Sequence, residues 1–237
     1  MKTEMTSDTN TNTGSQTETE TKTETQTQTD GDRDERWPGV SEERRERYRQ
    51  IEEENGLGLV EMWWGDGKGK TTAALGMAVR AAGHGYDVLL LQFMKGKAPG
   101  HGSDDEPGEI DVLRQIPEID VERSGEYGWV SGADSSEKES HERAARLALE
   151  EVEEDLREGN YDMVILDEVL YAVSKGLVSE EEVIDAVKSR AQGVEAVLTG
   201  SHDRLEEIEE TADLVTNVKK IKHPFDANIP ARRGTEY

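Results

Sequence analysis

The 237 residues include no cysteine. That excludes a disulfide framework and any thiolate metal site. Long apolar runs are missing as well. None approaches the roughly 18 residues of a membrane span, and the N-terminus is polar, so neither a transmembrane helix nor a signal peptide is expected. Positive charge is scarce: 28 Lys and Arg stand against 53 Asp and Glu, for a net charge of −25. Such a surface repels nucleic acid and anionic membranes, which argues against both as partners. Apolar residues make up only 33% of the chain, so the core must be concentrated in a few strands and helix faces. The acidity suits a halophile's cytoplasm, where a highly charged surface stays soluble and concentrated salt screens long-range repulsion. The length allows one domain with extra segments, or at most two.

What is present centres on one stretch, Leu59 to Arg80. An apolar run, Leu59-Val-Glu-Met-Trp-Trp64, ends in Gly65-Asp66-Gly67-Lys68-Gly69-Lys70-Thr71-Thr72, and a helical pattern follows at once. Strand, glycine-rich loop and helix in that order make a phosphate site. Glycines let the backbone approach phosphate oxygens, and the helix N-terminus directs its free N–H groups at them. Lys70 would reach the phosphates and the Thr71 hydroxyl would face a magnesium ion. The usual spacing, G-x-x-x-x-G-K-[ST], asks for glycine at position 64, which is Trp64. The first glycine is Gly65, so the loop is one residue tighter than an ordinary ATPase loop.

The rest of the chain supplies a sheet around that loop. Residues 1 to 36 are mostly Thr, Glu, Gln, Asp and Asn, with strict alternation of Thr over 17 to 29, and hold almost nothing apolar. They cannot offset their ordering entropy by burial and are expected to be a disordered acidic tail. A helical arm follows over 37 to 56, starting near Ser41 and ending near Asn55-Gly56. It is charged on almost every face, with Tyr48 and Ile51 the apolar exceptions, so it lies over a ligand or a partner subunit or stands as a solvated arm. The domain proper runs from 57 to 237. Asp87 to Met94 is expected as a buried strand ending at Lys95, a cation at the strand edge where open α/β sheets hold ligands. Residues 97 to 109 are rich in Gly, Asp and Pro and are expected as a loop. A short strand at Ile119 to Glu122 precedes Ser124-Gly-Glu-Tyr127-Gly-Trp129, whose aromatics either plug the core or form a wall for a flat ligand. A helix over Ser136 to Glu158 leads to the strand Tyr161 to Glu168.

That strand ends in Asp167 and Glu168, acids placed to hold magnesium directly or through water. A helix at Ser179 to Arg190, a strand at Val194 to Gly200, a helix at Arg204 to Thr211 and a strand at Asp213 to Val218 follow. The repeated β-α-β order predicts an α/β, P-loop nucleotide-binding fold with a mainly parallel sheet. The terminal segment carries Phe225, Ile229 and Tyr237 and is expected to dock.

These residues resemble one family, the P-loop corrinoid adenosyltransferases, also called ATP:cob(I)alamin adenosyltransferases. The matching features are the shortened loop, Arg80-Ala-Ala-Gly-His-Gly85, Gln92-Phe-Met-Lys-Gly96, Tyr127-x-Trp129, Leu166-Asp-Glu168, Thr199-Gly200 and His223-Pro-Phe-Asp226 with a terminal Gly-x-[acid]-Tyr. The resemblance implies a homodimer that moves the 5′-deoxyadenosyl group of ATP onto Co(I) of a corrinoid and releases triphosphate. It implies that ATP lies in a reversed sense on the tightened loop and that Thr71 and Glu168 hold magnesium. It also implies that Tyr127 and Trp129 line the lower face of the corrin, that the N-terminal helix covers the corrin, and that a reductase supplies the electron for Co(II). One departure stands out: the family usually has arginine after Thr-Gly, where this chain has Ser201, and Arg204 is the nearest replacement for its charge. Two other classes fit the nucleotide motifs alone. One is a hydrolase with Glu168 activating water, the other a nucleotide-binding partner protein. Triphosphate, phosphate or no turnover separates the three.

Overall fold

The structure, a computed structural model, describes residues 39–53, 56–95, 107–125 and 135–235. The tail at 1–36 and the pair Tyr127 and Trp129 lie outside the described residues. The chain divides into a short unit ending at Arg45 and a second unit from Glu46 onward. In the short unit Ser41 opens helix α1 (Glu42–Glu53): its carbonyl accepts Arg45 N–H at 2.9 Å and its hydroxyl lies 3.4 Å from Arg44 N.

The second unit is built on six parallel strands in the order β3-β2-β4-β5-β1-β6. They are β1 (Val60–Trp64), β2 (Val88–Gln92), β3 (Ile119–Arg123), β4 (Met163–Asp167), β5 (Glu195–Thr199) and β6 (Leu214–Asn217). Strands β2, β4 and β5 are buried at every residue, as the apolar-centred inner strands of a parallel sheet should be. The edge strands β3 and β6 are mixed or exposed.

Alternate residues feed two cores. Leu89, Leu91, Val164, Leu166, Ala196 and Leu198 face one side, with α4 (Ser135–Glu158), α5 (Val169–Ser174), α6 (Glu180–Lys188) and α7 (Glu206–Thr211). Val88, Leu90, Met163, Ile165 and Val197 face the other, with α2 (Lys70–Ala82) and α3 (Gly108–Leu113). Helix α6 starts on a capping box. The Ser179 hydroxyl accepts Glu182 N–H at 3.1 Å, and the Glu182 carboxylate accepts Ser179 N–H at 2.6 Å.

The amino edge of the sheet is tied by buried acids. Asp213 accepts Val60 N–H at 2.9 Å, pairs with Arg47 and takes the Tyr48 hydroxyl at 3.5 Å. Glu195 accepts both Gly58 and Leu59 N–H at 2.7 Å. Burial pushes the Glu195 carboxyl up to about 7, and neighbouring Glu61 adds to the rise against those two amides.

Several expectations change. Strand β2 ends at Gln92 and not at Met94, because Met94 turns to φ 60. Helix α3 begins inside the stretch expected as loop, with Ile110 and Leu113 buried. Helix α5 follows Glu168 directly and was not anticipated. Helix α1 has Arg47 and Tyr48 fastened to Asp213 at the amino edge of the sheet, where a buried carboxylate offers them a partner. Among the described residues of the terminal segment the large apolar side chains stay exposed, Ile221 at 85%, Phe225 at 72% and Ile229 at 47%; Tyr237 lies outside the described residues. Its backbone is pinned at Val218 and Lys220, and the flanking Lys219, Lys220 and Lys222 favour water.

Candidate active site at the carboxyl edge of the sheet

All six strands run the same way, so β1, β2, β4 and β5 end together, where ligands bind in open α/β sheets. The loop Gly65 to Gly69 leaves β1 and turns into α2. Its shape is fixed from outside. Gly65 N–H donates to Ser201 O at 2.9 Å, Gly67 N–H donates to Val218 O at 2.8 Å, and the Asp66 carboxylate accepts Lys220 N–H at 2.9 Å. The approach is close enough to require glycine. At Gly65 φ is +118°, and a Cβ would stand 2.3 Å from Val218 O. The Lys70 ammonium curls back to donate to Gly65 O at 2.7 Å and Gly67 O at 2.9 Å. Half-burial lowers its pKa, against the pull of Glu168, Asp66 and Asp167. Lys68, Gly69 and Thr72 are exposed along the outer side of the same turn.

Asp167 is the hub. Its side chain is 0% exposed. Oδ1 accepts the Thr71 hydroxyl at 2.8 Å and the Thr199 hydroxyl at 2.6 Å; Oδ2 accepts Gln92 Nε2 at 2.9 Å and Lys95 Nζ at 2.7 Å. Gln92 reaches it because the two residues are partners in the β2–β4 register. Burial alone would raise this carboxyl. The Lys95 charge and the hydrogen bonds outweigh it and hold Asp167 below the ordinary carboxylate range.

Glu168 next door goes the other way. Burial raises it, helped by Asp167, although Lys95, Lys70 and His202 pull it down. The two adjacent carboxyls are thus shifted in opposite directions, Asp167 down and Glu168 up. Glu168 sits at φ 64 with its N–H donated to Thr199 Oγ1 at 3.0 Å. Gly200 lies against it: φ is +115°, and a Cβ there would fall 3.0 Å from Glu168 Oε2 and 2.8 Å from Tyr171 N. Among the described residues, Met94, Glu168 and Ser201 are three of the four non-glycine residues with positive φ. All three stand at this edge, and backbone strain of that kind gathers at functional sites.

The donors at the edge are hard oxygens, from Thr71, Asp167 and Glu168. Gln92 Oε1 beside them is buried without a hydrogen-bond partner. That set fits a magnesium ion, which binds through one or two carboxylates plus substrate phosphates. Among the described residues no group of three or more His, Cys, Asp or Glu gathers that could hold a metal.

A family described as ATP:corrinoid adenosyltransferase BtuR/CobO/CobP matches residues 56–237. The chain belongs to this family. A corrinoid adenosyltransferase of Escherichia coli strain K12 is 35% identical over 199 residues, 84% of this chain and 94% of the relative. The corrinoid adenosyltransferase CobA of Salmonella typhimurium is 34% identical over 192 residues, 81% of this chain and 90% of the relative. One of Pseudomonas aeruginosa is 31% identical over 194 residues, covering 81% and 89%.

Within this corrinoid adenosyltransferase the structure brings Lys70, Thr71, Lys95, Asp167 and Glu168 together around the shortened loop, with Asp66 and Gly67 braced behind it. Tyr127 and Trp129 lie outside the described residues. Arg204 is the nearest residue able to supply the charge of the arginine expected after Thr-Gly. Its guanidinium is forked onto Glu209 at 2.7 and 2.8 Å, since helix α7 offers acids next to it. Sequence reasoning missed Gln92 and Thr199 as partners of Asp167, and Val218 and Lys220 as the brace of the loop. For Gln92 a signal existed: it is the lone polar residue in an apolar run.

Proposed function

We propose that this chain transfers the 5′-deoxyadenosyl group of ATP to Co(I) of a corrinoid and releases inorganic triphosphate, in the biosynthesis or salvage of adenosylcobalamin. The observation that carries this reading is the shortened loop, with Lys70 turned into it and the Thr71–Asp167 contact closing its side. Co(I) is a strong nucleophile. It attacks carbon 5′, the Co–C bond forms, the C5′–O bond breaks, and the electron pair leaves on triphosphate. No general base is needed. The enzyme must hold cobalt, carbon and leaving oxygen in line, a positioning effect of about 7–11 kcal/mol.

Each residue then has a task. Lys70 moves its ammonium from the loop carbonyls to the triphosphate, and Lys68 and the loop N–H groups add positive potential around it. Gly65, Gly67 and Gly69 keep the backbone close to the phosphates, and Asp66 holds the loop to Lys220. Thr72 stands on the first turn of α2. Magnesium would be held by Thr71 and Glu168, and would supply charge neutralisation of the leaving triphosphate. Asp167 has both oxygens engaged by four donors, so it orients Thr71 and Lys95, and its charge would help hold the ion. Tyr127 and Trp129 form the wall beneath the corrin. There they exclude water and the corrinoid's own base, which eases reduction of Co(II) by a separate reductase.

The test is ATP with chemically reduced cobalamin, followed by the adenosylcobalamin spectrum and by assay of triphosphate against phosphate. Phosphate as the product would make the protein a hydrolase. Trp129→Ala and Tyr127→Ala should keep ATP binding and most activity with prepared Co(I), yet fail from Co(II) with a mild reductant. A four-coordinate Co(II) paramagnetic resonance signal surviving in both would reduce the aromatics to loop packing.

We read the assembly as a homodimer. Leu214 and Val215 on edge strand β6 and the terminal Ile221, Phe225 and Ile229 are exposed apolar residues suited to a second copy. Sedimentation should give about twice the 26.4 kDa chain mass; a monomer at micromolar concentration rejects the dimer. We further read 1–36 as a solubilising tail, 37–56 as a helical arm and 57–237 as the transferase domain, in the cytoplasm of a halophile. No helix among the described residues is long and apolar enough to cross a membrane.

A further inference from the structure

Gln92 is the polar end of an otherwise apolar strand, Val88-Leu-Leu-Leu-Gln92. It is 1% exposed. Val88 and Leu90 join the core on the α2 side of the sheet, and alternation turns Gln92 to that side as well. The register seats it beside Asp167 of β4, and Asp167 meets Thr199 of β5 on its other flank at 2.6 Å. A buried glutamine is costly unless both ends of its amide are paired. Here only the nitrogen is paired: Nε2 donates to Asp167 Oδ2 at 2.9 Å, while Oε1 is buried without a hydrogen-bond partner. A leucine or methionine would suit the strand at least as well, so the reason for the amide lies in what its nitrogen does.

Asp167 Oδ2 has two donors of different kinds. Lys95 Nζ reaches it at 2.7 Å on a long flexible stem, keeps 26% exposure and stands 4.0 Å from Glu168 as well. The Gln92 amide is planar, neutral and held at a buried strand end, where the Gln92 backbone carbonyl accepts Ser124 N–H at 2.9 Å. Of the two donors, the amide is the one that cannot follow an arriving anion. The other carboxylate oxygen, Oδ1, takes the Thr71 hydroxyl at 2.8 Å, on the first turn of α2. A carboxylate pinned at Oδ2 rotates little. Gln92 therefore sets the direction of Oδ1, and with it the Thr71 hydroxyl.

We propose that Gln92 is a positioning residue for adenosyl transfer, locking the Asp167 carboxylate so that the Thr71 hydroxyl keeps its aim when Lys95 turns to the nucleotide. It touches no substrate and acts through Asp167 alone. The inference rests on the proposed adenosyl transfer, because it assigns a task within that same site.

The test is steady-state transfer from ATP to chemically reduced cobalamin by the full chain, with magnesium-free ATP binding measured beside it by calorimetry. Gln92→Met keeps length and burial and removes the donor and the orphan acceptor together. Its kcat should fall about tenfold, the order that one hydrogen bond supplies. Its magnesium-free ATP Kd should stay within about threefold of wild type. Its urea midpoint should not fall, because the unpaired oxygen has gone with the donor. In an Asp167→Asn background the same substitution should change kcat by less than about twofold, because the residue it acts through is already altered. Unchanged kcat in Gln92→Met overturns the proposal. Equal losses in kcat, ATP affinity and stability overturn it too, since they would make Gln92 mere packing. So does the same loss of kcat repeated in the Asp167→Asn background, which would mean that Gln92 acts elsewhere. If wild type transfers no adenosyl group, the transferase reading itself fails and this role goes with it; a working wild type with an indifferent Gln92 rejects the inference alone.

Discussion

Lys70→Ala should lower adenosyl transfer from chemically reduced cobalamin by about 10²–10³-fold, the cost of removing one preorganised charge from a site where negative charge develops. Two effects combine. The ammonium that meets the leaving triphosphate is gone, and so is the brace that Lys70 makes to Gly65 O and Gly67 O. Corrinoid affinity should change little, because the cation is engaged inside the loop and does not face outward. The rate of adenosylcobalamin formation and the binding of cobalamin alone separate the two quantities. A variant that turns over at the normal rate would end the phosphate-loop reading.

Asp167→Asn keeps the shape of the hub and removes its charge. The asparagine oxygen can still accept from Thr71 and Thr199. Its amide nitrogen, however, would face Gln92 Nε2 and Lys95 Nζ, donor against donor. Breaking a buried pair costs about 3–5 kcal/mol, and the lower end, about 3, applies because Lys95 keeps 26% exposure and some hydration. Denaturant unfolding at neutral pH reads this directly.

The pH dependence has a definite sign. The folded-state pKa of Asp167 is depressed. Its stabilisation is therefore full above the unfolded value of about 3.9 and is lost as pH falls through the lower folded value. The wild-type protein should lose this increment in acid, and the asparagine variant should lack that part of the loss. A variant as stable as wild type at neutral pH, with an identical acid profile, would show that the hub is not a hub.

Much of this molecule was legible in its residues. Asp87 to Phe93 and Met163 to Asp167 are apolar runs of strand length, and the tight glycine spacing after Trp64 has few other uses. The partners of Asp167 were harder to find. Gln92 is seventy-five positions away, and only the parallel register of β2 with β4 brings the two together. Helix α5 is six residues long, too short for a periodic signal. The Arg204 fork onto Glu209 was hidden because sequence shows a free charge, not the acid that will take it. Phe225 and Ile229 misled in the opposite way: apolar letters say that burial is favourable, not which surface provides it.

The brace behind the loop also bears on the order in which the molecule can be completed. Asp66 is tied to Lys220 across 154 positions, and Gly67 to Val218 nearby. A nascent chain emerging from the ribosome makes β1 and the glycine turn early. The backbone groups that shape the turn are synthesised much later, 154 positions on for Lys220. Until Val218 and Lys220 arrive, the turn lacks the partners that hold Gly67 and Asp66, and β1 lacks its outer neighbour β6. Such long loop closure is slow to form. The phosphate loop can therefore take its final shape only once the segment after β6 has reached it.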